Sequence, residues 1–181
     1  NPTTFNVMVK DLPHPTFTSG PTSVCQAGPG NVYVTETGKN NYTWSITGGT
    51  ITAGGTPGSN TSTVTWNTAG IQNISVNYTD PVTLCTAAAS TVYNVTVKAV
   101  PVPIITGPLS ACVNTPGYQY VTEAGMSNYS WIVTGGTFSS GPTPEIINVI
   151  WTSTGTHTIS VDYTALDGCN ATTPTVQNIV V

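Results

Sequence analysis

The chain has little charge. Of its 181 residues only three are lysine, none is arginine and seven are acidic, giving a net charge of −4. So few cations cannot neutralise a phosphate backbone, which excludes nucleic acid as a partner. Histidine is just as scarce: His14 lies in a proline-rich stretch and His157 in an alternating one, and neither has a counterpart elsewhere in the chain. A general base needs a nucleophile and an orienting partner within hydrogen-bond reach, and the pattern supplies none. No catalytic residue, no metal ligand set and no cofactor is expected. No apolar run approaches the length of a membrane span, and the opening NPTTFNVMVK lacks the basic start and apolar core of a signal peptide.

What the chain does contain is threonine, 35 residues of it, with serine, asparagine and 18 glycines. β-Branched hydroxyl residues and turn formers favour short strands joined by tight turns, so an all-β fold is expected. The sequence also repeats. NNYTWSITGGT around Trp44 returns as SNYSWIVTGGT around Trp131, and ISVNYT at Ile74 returns as ISVDYT at Ile159. A period of 84 to 88 residues is one small domain, so residues 12–98 and 99–181 read as two repeats. Phe5, Asn6, Val7, Val9 and Lys10 align with Tyr93, Asn94, Val95, Val97 and Lys98, so residues 1–11 read as the last strand of a preceding repeat plus a linker. The linkers KDLPHP and KAVPVP are proline-rich and stiff.

Alternation of apolar and polar residues gives about seven short strands per repeat, a sandwich count. Its inward phase holds Trp44, Ile46, Val64, Trp66, Ile74, Val76 and Tyr78 in the first copy. Trp131, Val133, Val149, Trp151, Ile159, Val161 and Tyr163 hold it in the second. The glycine-rich TGGTITAGGTPGSN reads as a turn cluster, and Ile146 and Ile150 fall outward, as a small apolar patch or swung inward by a bulge.

The four cysteines fall two per repeat at matching positions, Cys25 with Cys112 and Cys85 with Cys169. One disulfide per repeat, Cys25–Cys85 and Cys112–Cys169, is the expectation, with free buried thiols as the alternative. Each bridge would stabilise its domain by roughly 4 kcal/mol through the loop it closes.

Taken together, Tyr42, Trp44 and the turn Gly48–Gly49, then Trp66 with Gly70 and the following ISV-x-Y, resemble the PKD-like domains, as do Tyr129, Trp131, Gly135, Gly136, Trp151 and Gly155. The resemblance implies two tandem immunoglobulin-like β-sandwiches of the kind that recur in large surface and secreted proteins, especially of Bacteroidetes. WSITGG and WIVTGG replace the acidic stretch of better-known members, which leaves a family calcium site unsupported. In such a sandwich the proposed cysteine partners tend toward opposite ends, so each bridge would need a path along the sheet edge. Glu36 and Glu123 recur beside Gly38 and Gly125, as solvated turn carboxylates or as ligands. Asp80, Asp162 and Asp167 lie near strand ends and Asp11 in the first linker.

The function implied is non-catalytic: a stalk or adhesin arm, outside a bacterial cell or on its surface, whose partners are neighbouring repeats and surface glycans or protein receptors. The alternative is a carbohydrate-binding or accessory module of a secreted polysaccharide-degrading enzyme. Exposed aromatics on a sheet face favour the alternative, and burial of all four tryptophans favours the arm.

Overall fold

The computed structural model describes residues 2–181. The chain is all β and divides into one unit ending at Ala99 and a second spanning Val100–Val181. Residues 2–16 form no strand, and Phe5, Val7, Met8 and Val9 in that stretch are exposed.

The first unit contains β1 (Phe17–Ser19), β2 (Ser23–Cys25), β3 (Asn31–Thr35), β4 (Asn40–Ile46), β5 (Gly49–Gly54), β6 (Thr61–Trp66), β7 (Gly70–Thr79) and β8 (Thr91–Lys98). One sheet runs β1-β3-β6-β5 and the other β2-β8-β7-β4. Every pairing is antiparallel except β2 with β8, where Ser23–Cys25 run parallel to Thr96–Lys98. The second unit contains β9 (Tyr118–Val121), β10 (Ser127–Val133), β11 (Gly136–Ser140), β12 (Ile146–Trp151), β13 (Thr156–Thr164) and β14 (Thr175–Val180). Its sheets run β11-β12-β9 and β10-β13-β14. Where β1 and β2 would recur, it has two isolated bridges, Thr106 to Val121 and Ser110 to Val180.

Alternation places the core as expected along β6 and β7, where Val64, Trp66, Ile74, Val76 and Tyr78 are buried, and along β12 and β13, where Val149, Trp151, Ile159, Val161 and Tyr163 are. In β12 Ile147 is also buried, whereas Ile150 faces outward and Ile146 is half-buried. Each core is centred on a tryptophan meeting a tyrosine edge-to-face. Trp66 and Tyr33 have ring centroids 6.0 Å apart, and Trp151 and Tyr120 6.3 Å. Such pairs contribute about 0.5–1.5 kcal/mol beyond their buried area. Trp66 Nε1 donates to the Tyr33 hydroxyl at 3.0 Å.

The glycines before these cores are there for space. A Cβ at Gly20 would stand 2.5 Å from Tyr33 Cδ1, and one at Gly107 2.3 Å from Tyr120 Cδ1. Only glycine lets the incoming chain lie flat on the tyrosine ring.

The sequence-based expectation missed β2, β5 and β11. β5 is an edge strand made largely of the glycine-rich segment read as a turn, and it pairs with β6 through a register shift between Ile51 and Ala53. A bulge absorbs the irregular spacing that hides its alternation.

The cysteine pairing needs correction. Cys85 and Cys112 are free thiols, so neither Cys25–Cys85 nor Cys112–Cys169 is formed. Cys25 pairs in register with Lys98, at the end of the sheet where β7 begins at Gly70. Cys85 lies at the far end of β7, where its carbonyl accepts from Asp80 N–H. The ten residues of β7 span roughly 30 Å at 3.3 Å per residue. A disulfide requires Cα atoms within about 7 Å. In the second unit Ala111 N–H bonds Val180, beside Thr156, and Ala165 N–H bonds Cys169 beyond Thr164, so the nine residues of β13 separate that pair in the same way.

Candidate functional site

Two features recur or contrast between the units: a polar clamp on the chain as it enters each sandwich, and a tryptophan that is sealed in one unit and open in the other.

In the first unit the Pro15 carbonyl accepts from the Thr91 hydroxyl, and the next residue, Thr16, donates its N–H to both carboxylate oxygens of Glu36 at 2.9 and 3.2 Å. The hydroxyls of Thr16 and Thr35 also donate to Glu36. In the second unit Thr175 Oγ1 donates to the Pro103 carbonyl at 2.5 Å, and Ile104 N–H donates to both Glu123 oxygens at 3.1 Å. Burial raises each carboxyl's pKa, but the hydrogen bonds it accepts outweigh burial and hold Glu36 and Glu123 below the ordinary value. Behind each glutamate the tyrosine that opens Y-x-W closes the turn. Tyr42 hydroxyl donates to the Glu36 carbonyl at 2.6 Å and accepts from Lys39 N–H at 3.0 Å. Tyr129 does the same with Glu123 and Met126, at 2.7 and 2.9 Å. The recurring glutamates are thus strand clamps.

Beside the first clamp, Lys39 Nζ meets Asp80 Oδ2 at 2.5 Å. Lys39, followed by the N–H groups of Thr83 and Val82, lowers the Asp80 pKa to about 2. Asp162 Oδ1 accepts from Tyr163 N–H, Asp167 Oδ1 accepts from Cys169 N–H, and Asp11 is exposed in the linker. Among the described residues no three His, Cys, Asp or Glu side chains gather where they could hold a metal ion.

His14 is exposed. His157 stacks on Trp151, centroids 6.0 Å apart at 13°, and its Nε2 lies 3.0 Å from both the hydroxyl and the carbonyl oxygen of Ser153. An Nε2 proton directed at that carbonyl makes the nitrogen a donor, the wrong role for activating the serine. Among the described residues no side chain bonds Nδ1 to orient the ring as a catalytic dyad requires. His157 also fills the space beside Gly135, whose φ is +70° and where a Cβ would fall 2.2 Å from Nδ1.

The tryptophans differ between the units. Trp44 is 9% exposed, with Phe17 edge-on at 5.9 Å and its Nε1 bonded to the Ser59 carbonyl at 3.0 Å. At the same place Trp131 is only half-buried, and its Nε1 reaches the Pro144 carbonyl at 3.3 Å. Two replacements account for the opening: Ile105 stands in the position of Phe17, and Gln177 in that of Tyr93, the other ring packed on Phe17. The hairpin that covers Trp44 is also two residues longer than its counterpart after β11. The result is a cleft of about 500 Å³ between the edge strands β10 and β11. Trp131, Tyr129 and Phe138 supply ring surface, and Asn128, Ser130 and Ser140 supply hydrogen-bonding groups. Phe138 is 45% exposed, and no carboxylate lines the cleft. Such a surface can bind a neutral, hydroxyl-rich ligand but offers no acid or base. Alternation alone had placed Trp131 inside, and the missing cover comes from positions distant in sequence.

Comparison with known proteins finds a family match in the second unit. Residues 97–179, nearly the whole second unit, match the family model described as PKD-like domain. No curated protein matches the chain. Similar solved structures include the fibronectin(III)-like modules of Clostridium thermocellum CbhA, 15% identical over 93% of this chain and 94% of that one, TM-score 0.36. The D00-D0 domain of intimin is 12% identical over 92% and 98%, TM-score 0.42. Bacteroides ovatus SGBP-B, solved with a mixed-linkage heptasaccharide, is 11% identical over 94% and 48%, TM-score 0.32.

Proposed function

We propose that this chain is a non-catalytic, load-bearing segment of an extracellular bacterial surface protein, an arm or stalk whose neighbours are further repeats; the match of residues 97–179 to the PKD-like model and the repeated framework of the first unit support this reading. The observation that carries this reading is the repeated clamp. The recurring pairs Glu36 with Glu123, Tyr42 with Tyr129 and Trp66 with Trp151 all fix the incoming chain or the core. In the first unit the parallel β2–β8 pair joins a strand near the start of the domain to its last strand. Tension on the two ends of that unit loads those hydrogen bonds in shear, all at once. The second unit has one bridge there, Ser110 to Val180, and is the weaker of the two.

Stretching the full chain between inert handles in a force microscope tests the proposal. Two discrete unfolding events are expected, each releasing roughly 25–30 nm at 3.3–3.6 Å per residue, with the second unit yielding first. A featureless extension with no discrete event would overturn it.

The open cleft at Trp131 favours a second reading, carbohydrate binding by the second unit, since aromatic faces flanked by hydroxyl and amide groups suit sugar rings. A panel of neutral polysaccharides, with the Trp131→Ala variant as control, decides this. Retention that the variant loses supports the reading, and no retention on any of them rejects it.

A further inference from the structure

The free thiols occupy opposite poles of the fold, and those poles are otherwise disulfide sites. In each unit one cysteine lies at the leading pole, where the clamped chain comes in, and one at the trailing pole, where the last strand leaves. Cys85 and Cys169 are the leading pair: their carbonyls accept from Asp80 and Ala165, just past β7 and β13. Cys25 and Cys112 are the trailing pair, beside Lys98 of β8 and Val180 of β14. One of each kind, Cys25 and Cys169, is disulfide-bonded, and one of each kind, Cys85 and Cys112, is a thiol.

We propose that Cys85 and Cys112 form a disulfide between adjacent copies of this chain, the leading pole of one copy joined to the trailing pole of the next. Three observations carry this. First, the equivalent position in the other repeat is disulfide-bonded in both cases, so the backbone at each pole already presents a cysteine in a form that can be bridged. Second, neither thiol is sealed in a core. Cys112 is exposed and Cys85 half-buried. Third, both are held in place. Cys112 N–H donates to the Tyr118 hydroxyl at 2.6 Å, Cys85 N–H donates to Thr83 Oγ1 at 3.3 Å, and Cys85 Sγ lies 3.5 Å from the Thr83 carbonyl. Joining unlike poles is a heterologous contact, so each copy can bond two others and the bond can propagate from copy to copy. Such a bond ties each copy to its neighbour covalently.

The reaction is a two-electron oxidation. Two thiols lose two protons and two electrons to an oxidised disulfide donor, here glutathione disulfide, which is reduced to two glutathione thiols as one protein disulfide forms.

The inference goes beyond the load-bearing reading, and its test uses no force. The Cys85→Ser variant keeps only the trailing thiol and the Cys112→Ser variant only the leading one. Each full chain is incubated at high concentration in a glutathione redox buffer, alone and mixed with the other, and run on non-reducing gels. The mixture is expected to give dimer at least tenfold above either variant alone and to stop at dimer, while the unsubstituted chain gives a ladder. Mass spectrometry should find the Cys85 peptide joined to the Cys112 peptide. Dimer formation by either variant alone at the mixture's level, or no dimer from the mixture, would overturn the proposal. Circular dichroism on both variants keeps the result interpretable, since both substitutions lie outside the cores.

Discussion

Replacing Gly107 by alanine tests whether the incoming chain is truly pressed against the core. A Cβ there would lie 2.3 Å from Tyr120 Cδ1, 2.8 Å from Cε1 and 2.9 Å from the Gln119 carbonyl oxygen. The ring cannot retreat, because Tyr120 is fully buried, edge-on to Trp151, and its hydroxyl donates to the Pro108 carbonyl at 3.0 Å. The carbonyl belongs to a paired strand, since Gln119 sits opposite Asn148. With neither neighbour able to give way, the cost falls in the upper part of the overpacking range, about 2–3 kcal/mol. For a domain of this size that is a melting-temperature loss of about 10–20 °C. The assay is thermal unfolding of the full chain followed by tryptophan fluorescence and calorimetry. One transition should fall and the other stay, and Gly20→Ala, which meets Tyr33 at 2.5 Å, should lower the one that Gly107→Ala spares. Gly58→Ala is the control, with no atom within 4 Å of its added Cβ. A Gly107→Ala protein melting within about 2 °C of the parent would refute the reasoning.

The clamps make stability depend on acid. Glu36 and Glu123 sit below their ordinary 4.5, so their contribution is complete above that value and is lost as pH falls through the lowered folded pKa. Asp80, at about 2, extends the loss to lower pH, and Glu36→Gln combined with Glu123→Gln should flatten the urea midpoint between pH 5 and 3; an unchanged slope would count against the clamps. In alkali the sign reverses: burial and then the charge of Glu123 push Tyr163 up to about 12, so its contribution is complete below the ordinary tyrosine value of 10.0 and is lost as pH rises from there through about 12. Burial also raises Tyr33, Tyr78 and Tyr120, so ultraviolet titration should find several late tyrosines, of which Glu123→Gln brings one earlier.

The legible parts of the chain are those whose physics is local and periodic. The alternation in STVTW and ISVNY places Val64, Trp66, Ile74, Val76 and Tyr78 on one side of a pleat, and they are buried there. Repetition locates the second core by the same residues. The strands that escaped, β2, β5 and β11, are edge strands, whose side chains are exposed or half-buried, none of them buried. The clamp was half legible: the recurrence of Glu36 and Glu123 was visible, but their partners Thr16 and Ile104 lie about 20 residues upstream, and nothing in local spacing marks a backbone N–H as a partner.

The cysteines were misread for a related reason. Matching positions in two repeats say that the residues are equivalent, and it is tempting to infer that each repeat closes on itself. Equivalence constrains the pole at which a cysteine sits and leaves its partner open. Once β7 and β13 are seen to run the length of their sandwiches, the two cysteines of one repeat are its two ends, and a bond between them would have to cross the domain. Residues placed at the ends of a repeating unit lie outside its core, whereas the inward-facing ones at mid-strand build that core. By that rule the tryptophans and the cysteines belong to different levels of the same structure, and only the first level can be read from a single repeat.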